Sequence, residues 1–408
     1  MTISPHETIH ELSVPDAAID AHLGVTFPAL ALSVIHDGAV RLNAGWGWLD
    51  PEAQTLPTGP GSLFDLASVT KLFTTTAFLR LVAEGRVRLD DPLAAVVPGF
   101  VASGPRPVDG GMDPHTWEPL PSAEDSAGQM VDPALVTFRH LLTHTSGLAP
   151  WRDVFNAAGP PPAAPDEPRF PPRAARWANA LAALCRYPFV GQPGGDVRYS
   201  DLGLMLLGEA VGRLYDGRGG VALAAAITDW VCEPLALSTL CFDPVRAGQD
   251  RHHVAPTELD ARWRERRCWG EVHDENACGV GGVAGHAGLF GAALDVALLG
   301  QAWLDADVRL GLDPELVLLA TREHARTGDV RRGLGWMLRA PEDASCGDLF
   351  GPATYGHTGF TGTSLWIDPD RRLVVACLTN RVYQGREHVG IHAFRRAIHD
   401  AIAQAVDG

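Results

Sequence analysis

Lysine is almost absent from this 408-residue chain: of its 33 Lys+Arg positions, only Lys71 is a lysine. A guanidinium holds its proton to very high pH, whereas a lysine amine can be tuned to release one. The lone exception therefore reads as a proton handler. Basic residues are also outnumbered by 49 Asp+Glu, for a formal charge of −16, so nucleic acid is not an expected partner. The densest basic stretch, Arg262-Trp263-Arg264-Glu265-Arg266-Arg267, suits an amphipathic surface segment. Cys-x-x-Cys pairs are missing. The seven cysteines, Cys185, Cys232, Cys241, Cys268, Cys278, Cys346 and Cys377, are scattered and odd in number, which argues against a disulfide framework or zinc site and fits a reducing compartment. There is no apolar run of the roughly 18 residues a membrane helix needs, and no basic-then-apolar leader. A soluble, cytoplasmic protein with no membrane partner is expected.

What is present is ample apolar material, 46% of the chain, arranged in two kinds of period. Residues 29–35 are strand-like, and His36-Asp37-Gly38 followed by 39–42 is a hairpin signal with an Asp-Gly turn. From 69 to 84, Leu72, Phe73, Phe78, Leu79 and Val82 recur at helical spacing with Gly85 as the stop, so Ser68 is predicted to open a helix. Pro/Gly-rich stretches at 103–133 and 159–172 read as long surface loops. Helices are predicted over 202–211, 221–231, 294–304 and 392–405, and a second hairpin over 364–378. Strands at both ends with helices between predict an α/β protein of the α+β type, with one antiparallel sheet built from both termini, flanked by helices.

Three short motifs follow in order: Ser68-Val69-Thr70-Lys71, Tyr199-Ser200-Asp201 and His357-Thr358-Gly359. The Ser-x-x-Lys spacing places hydroxyl and amine on one helix face. With 13 serines, one randomly placed lysine would fall three after a serine about 3 times in 100. Together the motifs resemble the serine β-lactamase and penicillin-binding-protein superfamily, specifically its class C β-lactamase-like branch, which also holds D-alanyl-D-alanine carboxypeptidases and related esterases. That branch carries Ser-x-x-Lys, Tyr-x-Asn, and Lys-Thr-Gly or His-x-Gly. The likeness runs from about 20 to 405 and is supported by Leu141-Leu142-Thr143-His144-Thr145-Ser146-Gly147-Leu148, Val272-His273-Asp274-Glu275-Asn276-Ala277 and the glycine-rich segment 281–290; it implies one catalytic domain over 20–405, with a sheet lobe at about 20–65 and 290–405 and an inserted helical lobe at about 90–290.

A serine hydroxyl attacks a carbonyl only when a neighbouring base accepts its proton. Ser68 is the expected nucleophile. Lys71 can take that proton if neutral, or, if charged, can stabilise a nearby phenolate and relay protons. Tyr199 is that partner, and its phenol, ordinarily near pH ~10, must be lowered by cationic neighbours to act as a base. By resemblance, the N–H groups of Ser68 and Phe360 form an oxyanion hole, His357 and Thr358 line the pocket, and Gly359 lets substrate approach. Two departures from the family pattern matter. His357 in place of lysine weakens carboxylate recognition. Asp201, where the family commonly has asparagine, holds Lys71 protonated, favours Tyr199 as base and repels an anionic substrate. Arg152 and Arg198 are candidates to compensate, although each reads more readily as a surface ion-pair partner. His273, Asp274 and His286 are metal-ligand types without ligand spacing, and the resemblance implies an enzyme with no metal or cofactor. Asp274 is therefore expected to brace a loop and His144 to fix the turn before Ser146-Gly147. The expected function is a serine hydrolase that cleaves a β-lactam, a D-Ala-D-Ala-type peptide or a small carboxylic ester through an acyl-enzyme on Ser68. The alternatives are a catalytically silent binding or sensor protein on the same fold and a metal-dependent hydrolase. The expected partner is a small-molecule or short-peptide substrate.

Overall fold

The strands Ala29–His36 and Leu373–Thr379 are apolar at almost every position, the pattern of strands covered on both faces. They pair antiparallel at the centre of the sheet, with Val375 opposite Val34. The computed structural model describes residues 4–14, 16–122, 128–167, 173–387 and 389–408. Among these, the main sheet has nine strands in the order Ile9–His10, Ala39–Gly47, Ala29–His36, Leu373–Thr379, Ser364–Asp368, Tyr355–Thr358, Met337–Leu338, Val330–Arg332 and Ala325–Thr327. Every neighbouring pair is antiparallel. The sheet thus draws on both ends of the chain, as expected. Both predicted hairpins form. Asp37 and Gly38 take positive φ, 52° and 74°, the mirror-image turn that matches strand twist.

Side chains alternate across the sheet. Leu373, Val375 and Cys377 face Phe394, Ile398 and Ile402 of the C-terminal helix Ile391–Asp407, while Val374, Ala376 and Leu378 face the larger core that includes the Ala293–Leu304 helix. Each fully buried aliphatic side chain contributes roughly 1.5–3 kcal/mol, so helices on both sides hold the sheet. The Thr70–Ala83 helix is buried nearly all round and packs against Asp201–Asp216, which makes it a rigid central post.

The segment predicted as one helix over 221–231 is helical throughout, but its hydrogen-bond period changes along it. It consists of a 3-10 turn Gly219–Ala222, a helix Leu223–Ile227 and a π turn Thr228–Cys232. Pro234 has no N–H for the carbonyl four residues back, and Arg80 donates to that orphaned Trp230 carbonyl at 3.2 Å. The stretch 103–133 is less irregular than expected, because Arg106–Pro107 pairs with Met130–Val131. Residues 123–127 of it, and 168–172 of the second predicted loop, lie outside the described residues. All seven cysteines are unpaired, and no described helix is long and apolar enough to cross a membrane.

Candidate active site

Ser68 sits in a 3-10 turn, Ala67–Val69, and the α-helix begins at Thr70. The sequence predicts Ser68 as the helix opener. The cap positions are instead Leu66 and Val69, so the Ser68 hydroxyl is not used for capping. Its neighbour Ala67 has φ 45°, a left-handed conformation that costs a non-glycine residue about 1–2 kcal/mol. Bonds on all sides hold that turn. Asp65 Oδ1 accepts from the Ala67 N–H at 2.9 Å and its other oxygen from the His273 N–H at 2.6 Å. Thr361 and Thr363 hydroxyls donate to the carbonyls of Asp65 and Leu66 at 2.7 and 2.9 Å.

Lys71, only 1% exposed, directs its ammonium to Ser68 Oγ at 2.7 Å, to the His286 carbonyl at 3.1 Å and to Asp201 Oδ1 at 2.8 Å. Burial alone pulls an amine down, but the charge of Asp201 and the Tyr199 oxygen outweigh it and hold Lys71 above its ordinary value. The Tyr199 hydroxyl donates to the same Ser68 Oγ at 2.7 Å. The expectation that Lys71 brings this phenol down is only partly met. Lys71 acts in that direction, but burial, aided by Asp201, leaves Tyr199 above its ordinary value. At rest, a charged amine and a neutral phenol both donate to the serine oxygen. Asp201 is placed by the start of the Asp201–Asp216 helix, which Ser200 caps through the Gly203 N–H, so its anion also suits the helix dipole.

His144 braces this second motif. Its Nδ1 accepts from the Ser200 N–H at 3.0 Å, its carbonyl accepts from the Arg198 N–H at 2.8 Å, and its ring lies 4.6 Å from that of Tyr199. The third motif ends the strand Tyr355–Thr358. Burial, reinforced by Lys71 and Arg332, pushes the His357 imidazole well below its ordinary value, so it is neutral. Its Nδ1 donates to the Thr358 carbonyl at 2.8 Å, leaving Nε2 an acceptor without a partner among the described residues. Gly359 is required by packing. A Cβ there would lie 2.1 Å from Thr363 Oγ1 and 2.6 Å from the Leu66 carbonyl, so only glycine lets this strand end dock on the Ser68 turn.

Ser68 lies between two cavities. One, about 250 Å³, is largely apolar and aromatic, with Trp151 and Phe360 among its walls and Asp201 at its edge. The other, about 340 Å³, holds Arg332, Arg381 and Arg395 beside His357 and Thr358, and none of its lining residues is acidic.

The chain that carries this arrangement of serine, ammonium, phenol and third strand is similar to known proteins. The beta-lactamase family profile covers residues 16–399. The chain belongs to the beta-lactamase family. A relative from Escherichia coli (strain K12), named "Putative D-alanyl-D-alanine carboxypeptidase", is 30% identical over 404 residues, covering 91% of this chain and 83% of that one. Among solved structures, EstCE1, titled "a hydrolase with promiscuous acyltransferase activity", superposes with TM-score 0.68 at 19% identity, over 95% of this chain and 97% of that one. A penicillin-binding protein homologue from Caulobacter crescentus gives TM-score 0.65 at 21% identity, over 95% and 96%. These structures share the fold, and the family is one of hydrolases.

Around this beta-lactamase-family cleft, the charged residues singled out in the sequence fall mostly as expected. Arg152 and Arg198 are ion-pair partners, as expected: Arg152 meets Asp109, although buried and not at the surface, and the half-exposed Arg198 lies 3.9 Å from Asp196 and donates to the Val190 carbonyl. Neither lines a cavity beside Ser68. Arg332, which does, was not legible, because nothing in its local sequence marks it as cleft-facing. The 262–267 segment is amphipathic, as expected, with Arg262 and Glu265 exposed and Arg264 turned inward. Arg264 is buried against Asp260, and Arg262 stacks 3.6 Å over Trp117 while donating to the carbonyls of His115 and Thr116, which pins the 103–133 stretch on the cleft rim. Asp274 caps the helix Glu275–Gly279 and meets His286 Nε2 at 2.8 Å, a structural brace. Asp201, Asp274 and His286 present ligand-type atoms within 4.8 Å of one another, but the Lys71 ammonium already sits against Asp201, and a raised amine opposes a second cation there.

Proposed function

We propose that this protein is a serine hydrolase that cleaves an amide or ester through an acyl-enzyme on Ser68. The observation that carries the reading is the single serine oxygen held at 2.7 Å by both Lys71 Nζ and Tyr199 OH. Attack forms the bond from Ser68 Oγ to the carbonyl carbon, and the serine proton passes to the basic member of the Lys71–Tyr199 pair. That proton then goes to the departing nitrogen or oxygen as its bond to carbon breaks. Water hydrolyses the acyl-enzyme with the roles reversed. The two groups are coupled, so basicity belongs to the pair, and Asp201 beside Lys71 favours Tyr199 as the acting base. Because both groups lie above their ordinary values, the basic form is scarce at neutral pH, and kcat/KM should climb as pH rises. The Ser68 and Phe360 N–H groups serve as the oxyanion hole. The tight turn at 359–363 uses the N–H groups of Gly359 and Gly362 for its own bonds.

The names of the curated relatives support a D-alanyl-D-alanine-type peptide as one substrate class, and the apolar cavity beside Ser68 supports small esters as another. Seven unpaired cysteines support a reducing, cytoplasmic setting, in which short wall-derived peptides and small esters are within reach and mature peptidoglycan is not. The test is a parallel assay of a chromogenic cephalosporin, a short-chain nitrophenyl ester and a D-alanyl-D-alanine peptide, with Ser68→Ala as control. Turnover of at least one substrate, abolished in the variant, supports the reading. Equal activity of Ser68→Ala on every substrate sinks it and returns the silent-scaffold or metal-dependent alternatives.

A further inference from the structure

The arm at residues 109–120 folds back on itself at the cleft rim. Asp113 Oδ1 accepts from the N–H groups of His115 and Thr116 at 2.7 and 2.9 Å, the Trp117 N–H donates to the Asp113 carbonyl at 2.9 Å, and Met112 bridges to Pro119. Its base is fixed by Asp109, which accepts from the Gly111 N–H at 2.9 Å and meets the buried Arg152. Its tip carries strain. Trp117 stands at φ 65°, with its buried indole N–H unpartnered among the described residues, a left-handed conformation that persists only where the surroundings over-determine it. Arg262 supplies that constraint, because its guanidinium stacks 3.6 Å from the Trp117 ring and donates to the His115 and Thr116 carbonyls at 2.8 and 2.7 Å. The Trp117 ring also packs 4.9 Å from that of buried Phe155, itself 6.1 Å from Trp151. Across the cleft, His115 Nδ1 lies 3.0 Å from Glu387 Oε1, but both side chains are exposed, and such a pair holds little. Arg262 is the main fastening.

Pro114 and His115 of this tip line the same cavity as Ser68, Trp151 and Phe360. We propose that Arg262 is a positioning residue that locks the arm as the end wall of the acyl cavity, and so restricts the substrate to a short acyl group. The proposal rests on Ser68 as the nucleophile and deepens that reading by naming the size of the acyl portion. An apolar acyl chain suits this largely apolar cavity better than the one lined by Arg332, Arg381 and Arg395. Its volume of about 250 Å³, at roughly 30 Å³ per non-hydrogen atom, the share of a water molecule in the liquid, holds about eight such atoms. A butyryl group fits within the wall and a decanoyl group does not.

The test is hydrolysis of nitrophenyl acetate, butyrate and decanoate by the wild type, Arg262→Ala and Arg262→Lys. Arg262 is exposed, so its replacement leaves the core untouched. The wild type is expected to favour butyrate over decanoate by at least about tenfold in kcat/KM, the discrimination open to an apolar pocket of fixed size. In Arg262→Ala that preference falls to about threefold or less through a lower KM for decanoate, while kcat on acetate stays within about twofold of the wild type, as a change confined to binding requires. Arg262→Lys keeps a cation over Trp117 but loses the planar fork, and falls between. A wild type that takes decanoate as readily as butyrate, or a size profile unmoved in Arg262→Ala, overturns the proposal. An equal loss on all three esters, the mark of a merely structural role, overturns it as well. His115→Gly trims the wall itself and is expected to relax the profile in the same direction; an unmoved profile there contradicts the wall. Ester turnover that persists in Ser68→Ala would instead remove the nucleophile on which the proposal rests, an outcome distinct from an unmoved size profile.

Discussion

Replacing Asp201 by asparagine removes the anion 2.8 Å from Lys71 Nζ while keeping the side-chain shape, and its two effects run in opposite directions. Stability should fall, because the change leaves a buried ammonium without its counter-ion. Breaking such a pair costs on the order of 3–5 kcal/mol, and the low end, about 3 kcal/mol, is expected because the amide oxygen still accepts. Lys71 lies above its ordinary value in the folded protein, so the wild-type contribution is fully present below the unfolded lysine value near pH ~10.4 and is lost as pH rises through the folded value. The stability gap should therefore be constant across neutral pH and narrow only in strong alkali. Activity should move the other way. Asp201 raises both Lys71 and Tyr199, and each ~1.4 kcal/mol of that bias removed makes the basic form about tenfold more abundant at pH 7. Nitrophenyl ester kcat/KM at pH 7 is predicted to rise about tenfold, the alkaline rise to shift to lower pH, and chromogenic cephalosporin turnover to increase. The checks are denaturant titration at pH 7 and 10 and a pH–rate profile from 6 to 10. A variant that is less stable and less active in proportion, with its profile unmoved, would refute the electrostatic reasoning.

Lys71→Arg keeps a charge but cannot readily release a proton, so a loss of about 10²- to 10⁴-fold in kcat is predicted. Near-wild-type turnover in steady-state assays would show that proton transfer through Lys71 is unnecessary. Gly359→Ala places a methyl group 2.1 Å from Thr363 Oγ1 and 2.6 Å from the Leu66 carbonyl. Overpacking of that kind costs about 1–3 kcal/mol, and displacing the Ser68 turn by about 1 Å costs on the order of 100-fold in rate. A wild-type melting curve together with wild-type turnover would show that the strand end can yield without disturbing the nucleophile.

The central sheet and both hairpins were legible because short continuous apolar runs and the turn residues between them are local signals. The three motifs were legible for a similar reason, since each is a few residues long and carries its own chemistry. What was hidden depends on distant partners. The π turn that ends the predicted 221–231 helix follows from Pro234 and from an arginine 150 residues earlier that takes the orphaned carbonyl. The net upward shift of Tyr199 follows from the depth of its burial, which no spacing reveals. Arg332 carries no motif, and only the fold brings it to the same cavity as Ser68. The amphipathic character of 262–267 was legible, whereas the partners of its arginines, Asp260, Trp117 and the carbonyls they engage, cannot be assigned from one sequence.

The central claim is that Ser68 Oγ becomes covalently acylated while Lys71 and Tyr199 manage its proton. The most direct measurement is intact-protein mass spectrometry of wild type and Ser68→Ala, quenched in acid during turnover of an activated ester or a cephalosporin. The account predicts that the wild type gains one acyl mass, located by peptide mapping to Ser68, and that Ser68→Ala gains none. Turnover without any adduct on Ser68, or an adduct that persists in Ser68→Ala, would contradict it.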